Sequence, residues 1–199
     1  MTITVFDYGA GNLHSLVKVL EGTGRVVQLE TDLRRALRTD LLVLPGVGAF
    51  SAAAARMTDA RHDAHAALRD GLPCLGICLG MQLLFDASDE GAGAGLGVIP
   101  GRVTKLQAAR VPQIGWNSLD DATDSLFERA ALRTAYFANS FVCRPADPSC
   151  VVAWSTHESD RFAAAVRTAN VLGVQFHPEK SSAPGVAFIR QFLDDVLPG

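Results

Sequence analysis

The chain has 199 residues, 48% of them hydrophobic and 20% charged, which suits one domain (residues 1–199) with a real core and excludes a disordered chain. Its 18 basic and 21 acidic side chains leave a formal charge of −3, so no basic excess exists to neutralise phosphates and a nucleic-acid partner is excluded as an expectation. Residues 1–7 carry no basic n-region and no cleavage-site pattern, and the uncharged stretches 41–55 and 71–85 are broken by Gly or Pro and fall short of the roughly 20 apolar residues a span requires; the expectation is a cytoplasmic protein with no membrane contact.

Residues 2–6 read as a first strand, ending at Asp7-Tyr8-Gly9-Ala10-Gly11. Asn12 then suits a helix N-cap, and Leu13, Leu16, Val17 and Leu20 recur at helical spacing until Gly22-Thr23-Gly24. A second strand is expected over 25–29. The apolar run 41–44 reads as a strand buried on both faces, closed by Pro45-Gly46-Val47-Gly48. Residues 52–68 are Ala-rich and predict a helix, 72–77 a strand and 81–85 a helix. This alternation predicts an α/β fold: an open, mostly parallel central sheet with helices on both faces and ligands at the carboxyl ends of the strands. The second half is more strand-like, with candidates at 98–106, 134–142, 151–155, 162–167 and 171–176 that predict antiparallel additions. An amphipathic helix over 183–197 follows, with Val186, Ile189, Phe192, Leu193 and Val196 on one side. The Gly-rich run 91–97 reads as a flexible surface loop.

The four cysteines are Cys74, Cys78, Cys143 and Cys150. Without an export signal, a disulfide framework is not expected. The spacings are C-x3-C and C-x6-C, without a C-x2-C pair, and Cys74 and Cys78 lie in an apolar run. These features argue against zinc, so no metal is expected.

The sharpest local feature is Gly76-Ile77-Cys78-Leu79-Gly80. A strand enters and a helix leaves, the nucleophile-elbow pattern G-x-Nuc-x-G with cysteine as nucleophile. Side chains at either glycine would clash with neighbouring backbone. The following helix end favours thiolate over thiol, and the Leu79 N–H points toward a developing oxyanion. Cys74, inside the strand, fits a buried structural thiol.

A thiolate that attacks an amide needs a proton donor for the leaving amine. His62 and His65 lie on a charged helix face and read as solvated, while His14 and His157 stay open. His177 ends an apolar strand and is followed by Pro178-Glu179. Residues i and i+2 of extended chain project to one side. Glu179 can therefore fix the His177 tautomer and stabilise imidazolium, the base-plus-orienter logic of a triad. His-x-Glu is a weak signal alone and gains weight only beside the cysteine elbow.

The strings Pro73-Cys74-Leu75-Gly76-Ile77-Cys78-Leu79-Gly80-Met81-Gln82 and Gln175-Phe176-His177-Pro178-Glu179 together resemble the class I (triad) glutamine amidotransferases. Asp7-Tyr8-Gly9-Ala10-Gly11-Asn12-Leu13, Leu44-Pro45-Gly46-Val47-Gly48-Ala49-Phe50, Ile114-Gly115-Trp116-Asn117 and His177-Pro178-Glu179-Lys180-Ser181 narrow this to a resemblance to the glutaminase subunits of imidazole glycerol phosphate synthases, of histidine biosynthesis. The resemblance spans roughly residues 2–196. It implies that Cys78 attacks the amide of L-glutamine, that His177 protonates the departing ammonia and later activates water, and that Glu179 orients His177. It implies an oxyanion hole from Leu79 and from Val47 and Gly48, whose peptide needs reorientation before it donates, and a glutamine held by Gln82 and the backbone at Ser140 and Phe141. It implies no cofactor. It also implies a heterodimer with a TIM-barrel cyclase subunit that receives the ammonia and converts PRFAR into imidazole glycerol phosphate and AICAR, with Asn12, Trp116, Tyr136 and Lys180 facing it. On residue type alone, Lys180 reads equally as a surface lysine and Trp116 as core.

Two positions depart from the family pattern. Members often read Val-Pro-His-Ile-Gly-Trp-Asn and His-Ser-Tyr, where this chain has Gln113 and Asn139-Ser140-Phe141. Neither touches the triad; both bear on the interface and on coupling. Rival readings are weaker. A dinucleotide-binding turn would need glycine at His14, although Glu30 would serve as its acid. An α/β-hydrolase would place its acid between nucleophile and histidine. A catalytically dead regulatory partner would not need Cys78, His177 and Glu179 together.

Overall fold

The structure, a computed structural model, describes residues 1–9 and 13–197. Asn12 lies outside them; Leu13 precedes the first helix and makes no side-chain cap bond.

The first half alternates strands and helices. β1 (Thr2–Phe6), β2 (Val26–Glu30), β3 (Leu41–Leu44) and β4 (Cys74–Ile77) are separated by α1 (His14–Glu21), α2 (Leu33–Ala36), α3 (Phe50–Met57) and α4 (Arg61–Arg69). After β4 come α5 (Leu79–Gln82), β5 (Ala87–Ser88), β6 (Gly101–Lys105), β7 (Gln113–Ser118), α6 (Ser125–Arg129), β8 (Thr134–Asn139) and β9 (Phe141–Pro145). The chain then adds β10 (Val151–His157), β11 (Asp160–Thr168), β12 (Val171–Val174) and α7 (Ser182–Val196).

The central sheet runs β10-β11-β12-β4-β3-β1-β2. From β12 to β2 every pairing is parallel; β10 and β11 add an antiparallel flank. The period of two in the buried strands sorts the core into two layers. Leu41, Val43, Leu75 and Ile77 face one layer with α1, α6 and α7, while Leu42, Leu44 and Cys74 face the other with α2, α3 and α4. The α/β expectation therefore holds, with helices on both faces. Beside the sheet stand a three-stranded sheet, β5-β6-β9, and a two-stranded ribbon, β7-β8.

Several expected elements differ in extent, each for a physical reason. The helix expected over 52–68 is two helices. The Thr58 hydroxyl turns back to the Ala54 carbonyl at 3.2 Å, and residues Thr58–Ala60 tighten into a 3₁₀ turn. The helix expected over 81–85 is the single turn α5. Carbonyls of Leu83, Leu84 and Phe85 instead accept from Leu96, Ile99 and Gly97 at 2.7–3.1 Å. The same bonds correct the reading of 91–97: Gly95 and Leu96 are buried, and a Cβ on Gly95 would lie 2.0 Å from the Phe85 carbonyl oxygen. The run expected over 134–142 breaks at Ser140, because β8 and β9 pair in different sheets. On α7 the buried face is Gly185, Phe188, Ile189, Phe192 and Leu193, with Val186 and Val196 at its edges.

Candidate active site

Three adjacent strands, β3, β4 and β12, end at the same edge of the sheet, and each delivers one part of the site. The β3 ladder pairs Leu44 with Gly76, and the β12 ladder pairs Val174 with Ile77. The chain leaves β4 into Cys78, whose φ of +48° and ψ of −104° lie outside ordinary side-chain-bearing regions. Two glycines make that bend possible. A Cβ on Gly80 would lie 1.9 Å from the Leu44 carbonyl oxygen, and one on Gly76 would lie 2.7 Å from the Gly80 carbonyl oxygen. The Cys78 N–H donates to the Val174 carbonyl at 2.6 Å, binding the elbow to β12. Leu79 opens α5, so its N–H has no acceptor within the helix. Because α5 is a single turn, its axial field at Cys78 is small.

His177 follows β12. Its Nδ1 lies 2.8 Å from Glu179 Oε1, with both side chains buried. The segment is fixed on two sides. Phe176 packs its ring 5.9 Å from those of Phe137 and Phe188. The His177 N–H donates to the Tyr136 carbonyl at 2.8 Å, while Ser181 Oγ donates to the His177 carbonyl at 2.7 Å and accepts from the Tyr136 N–H at 2.9 Å. Burial pulls the imidazole pKa down, but interactions with the Cys78 sulfur and the Glu179 carboxylate more than reverse this and push it up to about 9. The imidazolium therefore persists until the pH rises through about 9. If His177 is the proton donor that the resemblance implies, kcat/KM for glutamine hydrolysis should fall on that alkaline side, where the leaving group finds no proton. Glu179→Gln removes a raising interaction, so the falling limb should move to lower pH, by about one unit. A pH–rate profile checks both.

Gly46 lies between Cys78 and His177. A Cβ there would be 2.9 Å from His177 Cε1 and 3.1 Å from Cys78 Cβ. Gly46, Val47 and Gly48 line one wall of a cavity of about 380 Å³, with Cys78, Leu79, Gln82, Ser140, Phe141, His177 and Lys180 around the rest. Glu179 stands behind His177. Tyr8, buried with its phenol pKa raised by burial and by the nearby Cys78 and Asp7, donates to the Pro45 carbonyl and so holds the base of the 46–48 segment. Burial also raises the Cys74 and Cys143 thiols.

Trp116 and Tyr136 are placed elsewhere, on the outer face of the β7–β8 ribbon. They are cross-strand partners with ring centroids 6.5 Å apart in an edge-to-face arrangement. Ile114, 68% exposed, and Trp116, 54% exposed, make this face apolar and open. The departures Gln113 and Asn139 prove to be one feature: they are direct cross-strand partners on the inner face of the same ribbon, both buried. Among the described residues, Gln113 Oε1 and Asn139 Oδ1 meet no donor.

Sequence reasoning missed two residues at the site, Glu90 and Gln175, and one on the β7–β8 ribbon, Ile114. Glu90 lines the cavity and accepts from the Phe50 N–H at 3.1 Å, with no local signal to reveal it. Ile114 was quoted in a motif without a role. Gln175, fully buried, places Nε2 3.5 Å from Cys78 Sγ. Its signal was available, a carboxamide between Val174 and Phe176 in an apolar run.

Residues 4–196 match the glutamine amidotransferase class-I family. The chain belongs to this amidotransferase family. Among its curated relatives, the imidazole glycerol phosphate synthase subunit HisH of Gloeothece citriformis is 40% identical, with 98% of this chain and 96% of that one covered. The subunit of the same name from Leifsonia xyli subsp. xyli is 41% identical over 96% of this chain and 97% of that one. Among solved structures, a glutamine amidotransferase superposes with a TM-score of 0.75 at 18% identity, covering 98% of each chain, and PurLQS from Thermotoga maritima with 0.72 at 20%, also covering 98% of each; these show the fold. The amidotransferase contains no helix long and apolar enough to cross a membrane among its described residues.

Proposed function

We propose that this chain is the glutaminase subunit of imidazole glycerol phosphate synthase, acting as one domain over residues 1–199. The observation that carries the reading is the His177–Glu179 pair at 2.8 Å facing, across Gly46, a cysteine held at positive φ in a cavity of amino-acid size.

The Cys78 thiolate attacks the side-chain carboxamide carbon of L-glutamine. The oxyanion is met by the Leu79 N–H and by the peptide at Val47–Gly48. Gly48, exposed and at φ +113°, is free to turn that peptide. As the tetrahedral adduct collapses, His177 gives its proton to the nitrogen, the C–N bond breaks, and ammonia leaves a thioester on Cys78. Neutral His177 then takes a proton from water, hydroxide displaces sulfur, and glutamate departs with the thiolate–imidazolium pair restored. Glu179 holds the ring throughout. Gln82 and the backbone at Ser140 and Phe141 grip the substrate, while Glu90 at the rim suits its ammonium group.

Ammonia left in water would diffuse away or protonate to an unreactive ion, so it passes to a partner. The partner is a TIM-barrel cyclase in a heterodimer, and the open apolar face around Trp116 and Tyr136, with exposed Lys180, receives it; Asn12 is assigned there by motif alone. A backbone bond from the His177 N–H to the Tyr136 carbonyl ties that face to the catalytic base. The test is to mix the chain with the cyclase and measure glutamate release. Low activity alone, rising by orders of magnitude with cyclase and PRFAR present, supports the reading. Full activity of the lone chain, or none in the complex, refutes it.

A further inference from the structure

The Cys78 sulfur has two polar neighbours besides His177: the Ala138 carbonyl, an acceptor at 4.0 Å, and the nearer Gln175 amide. Gln175 lies at the mouth of β12, one alternation before His177, so the two side chains project to the same side. It is fully buried, and its N–H donates to the Ala164 carbonyl at 2.8 Å, pinning the backbone to β11. Its Nε2 lies 3.5 Å from Cys78 Sγ, and its Oε1 accepts from Gln82 Nε2 at 3.3 Å. Gln82 Nε2 also donates to the Phe141 carbonyl at 3.2 Å, which requires a donor at that atom and so orients the Gln82 amide. The orientation propagates. If the Gln175 amide were reversed, its NH2 would face the NH2 of Gln82 and its oxygen would face the sulfur. The Phe141 carbonyl thus fixes Gln82, Gln82 fixes Gln175, and Gln175 must present an N–H to Cys78.

We propose that Gln175 is a catalytic residue of the amidotransferase, a neutral hydrogen-bond donor that holds the Cys78 sulfur as thiolate in the resting enzyme. This rests on the reading of Cys78 as nucleophile. A hydrogen bond to a charged acceptor is stronger than one to a neutral one, so the donor favours ionised sulfur over thiol. An uncharged donor does this without neutralising the sulfur, and it has no proton to surrender. Because α5 is too short to supply a full helix-end field, the amide does what the elbow helix alone does not. The same chain of amides passes through Gln82, which is assigned to grip the substrate, so the thiolate donor and the substrate grip are held in one register.

The experiment follows ionisation of Cys78 in the intact chain, by thiolate absorbance against a Cys78→Ala blank, with glutaminase activity measured separately. The titratable groups facing the sulfur are His177 with Glu179 behind it, Tyr8 after β1 and Cys143 on β9, with Glu90 and Lys180 across the cavity. All are unchanged by substitution at 175. Gln175→Met, similar in volume, should raise the Cys78 midpoint by about one pH unit, a tenfold loss of thiolate below it. Gln175→Glu, similar in shape, should raise it further by placing a carboxylate against the sulfur. In the unsubstituted protein, the Gln175 side-chain amide resonance should shift with the thiolate midpoint. A folded variant with an unmoved midpoint, or an amide resonance flat through the titration, would overturn the proposal. These readouts need neither glutamine nor cyclase, so a protein that fails to hydrolyse glutamine even with cyclase and PRFAR present yet shows the shift refutes the proposed function and leaves only the thiolate-donor role of Gln175 standing.

Discussion

Replacing Cys78 by alanine should abolish glutamine hydrolysis, by roughly 10⁴-fold or more, while the complex with the cyclase keeps its synthesis from added ammonia. The sulfur is the sole atom removed, and the elbow that carries it is held by contacts that do not involve it: the Cys78 N–H to Val174, Gly80 beneath Leu44, and Gly76 against Gly80. The backbone at φ +48° is equally strained with either side chain. Folding stability should therefore change by no more than about 1 kcal/mol. Under the proposed function, ammonia supplied from solution bypasses the thioester and draws on the partner's chemistry alone, for which Cys78 is not needed. Paired assays of glutamate release and ammonia-dependent product formation decide the matter. Loss of both activities would contradict the division of labour, as would residual hydrolysis within tenfold of the parent.

The second large effect is expected at Gly46. Its backbone is not in the left-handed region, so alanine is conformationally allowed and the obstacle is space alone. The added methyl would sit 2.9 Å from His177 Cε1, 3.1 Å from Cys78 Cβ and 3.1 Å from Ile77 Cγ2. Neither Ile77 nor Cys78 has room to retreat, since both are pinned by the β4–β12 ladder and the elbow. The imidazole must yield, and it is the one group whose displacement breaks the 2.8 Å contact with Glu179. Gly46→Ala should lower kcat about 10²-fold, the scale expected of a misplacement near 1 Å, and cost about 1–3 kcal/mol of stability. Kinetics beside a thermal melt check this. Hydrolysis within threefold of the parent would show that the ring and the sulfur do not work across that gap.

The alternating half of the fold was legible because its signals are local. The run 41–44 is apolar at every position and proves buried at every position, and the Cys78 elbow announces itself by two glycines whose clash partners the structure supplies. Cys78, His177 and Glu179 were legible as residue types at suggestive spacing, and the sheet order brings Cys78 and His177 to one cavity with Glu179 behind the imidazole. What remained hidden depends on partners distant in sequence. Helix 81–85 fails because Leu83–Phe85 spend their carbonyls on residues 96–99. The strand Gln113–Ser118 went unread because Gly115 interrupts it and its outer face is apolar for reasons other than burial. Gln113 and Asn139 looked like two unrelated departures until register made them neighbours. Gln175 looked like part of a motif until its amide was seen beside the sulfur.

The rung joining Val174 to Ile77 carries a further consequence. Cys78 and His177 come from opposite halves of the chain, yet the strands that lead to them are neighbours in the sheet, about 4.8 Å apart. Under the proposed function the sheet itself sets the approach of sulfur to imidazole, and the part of the cavity wall left free to turn is the peptide at Gly48, exposed and at φ +113°.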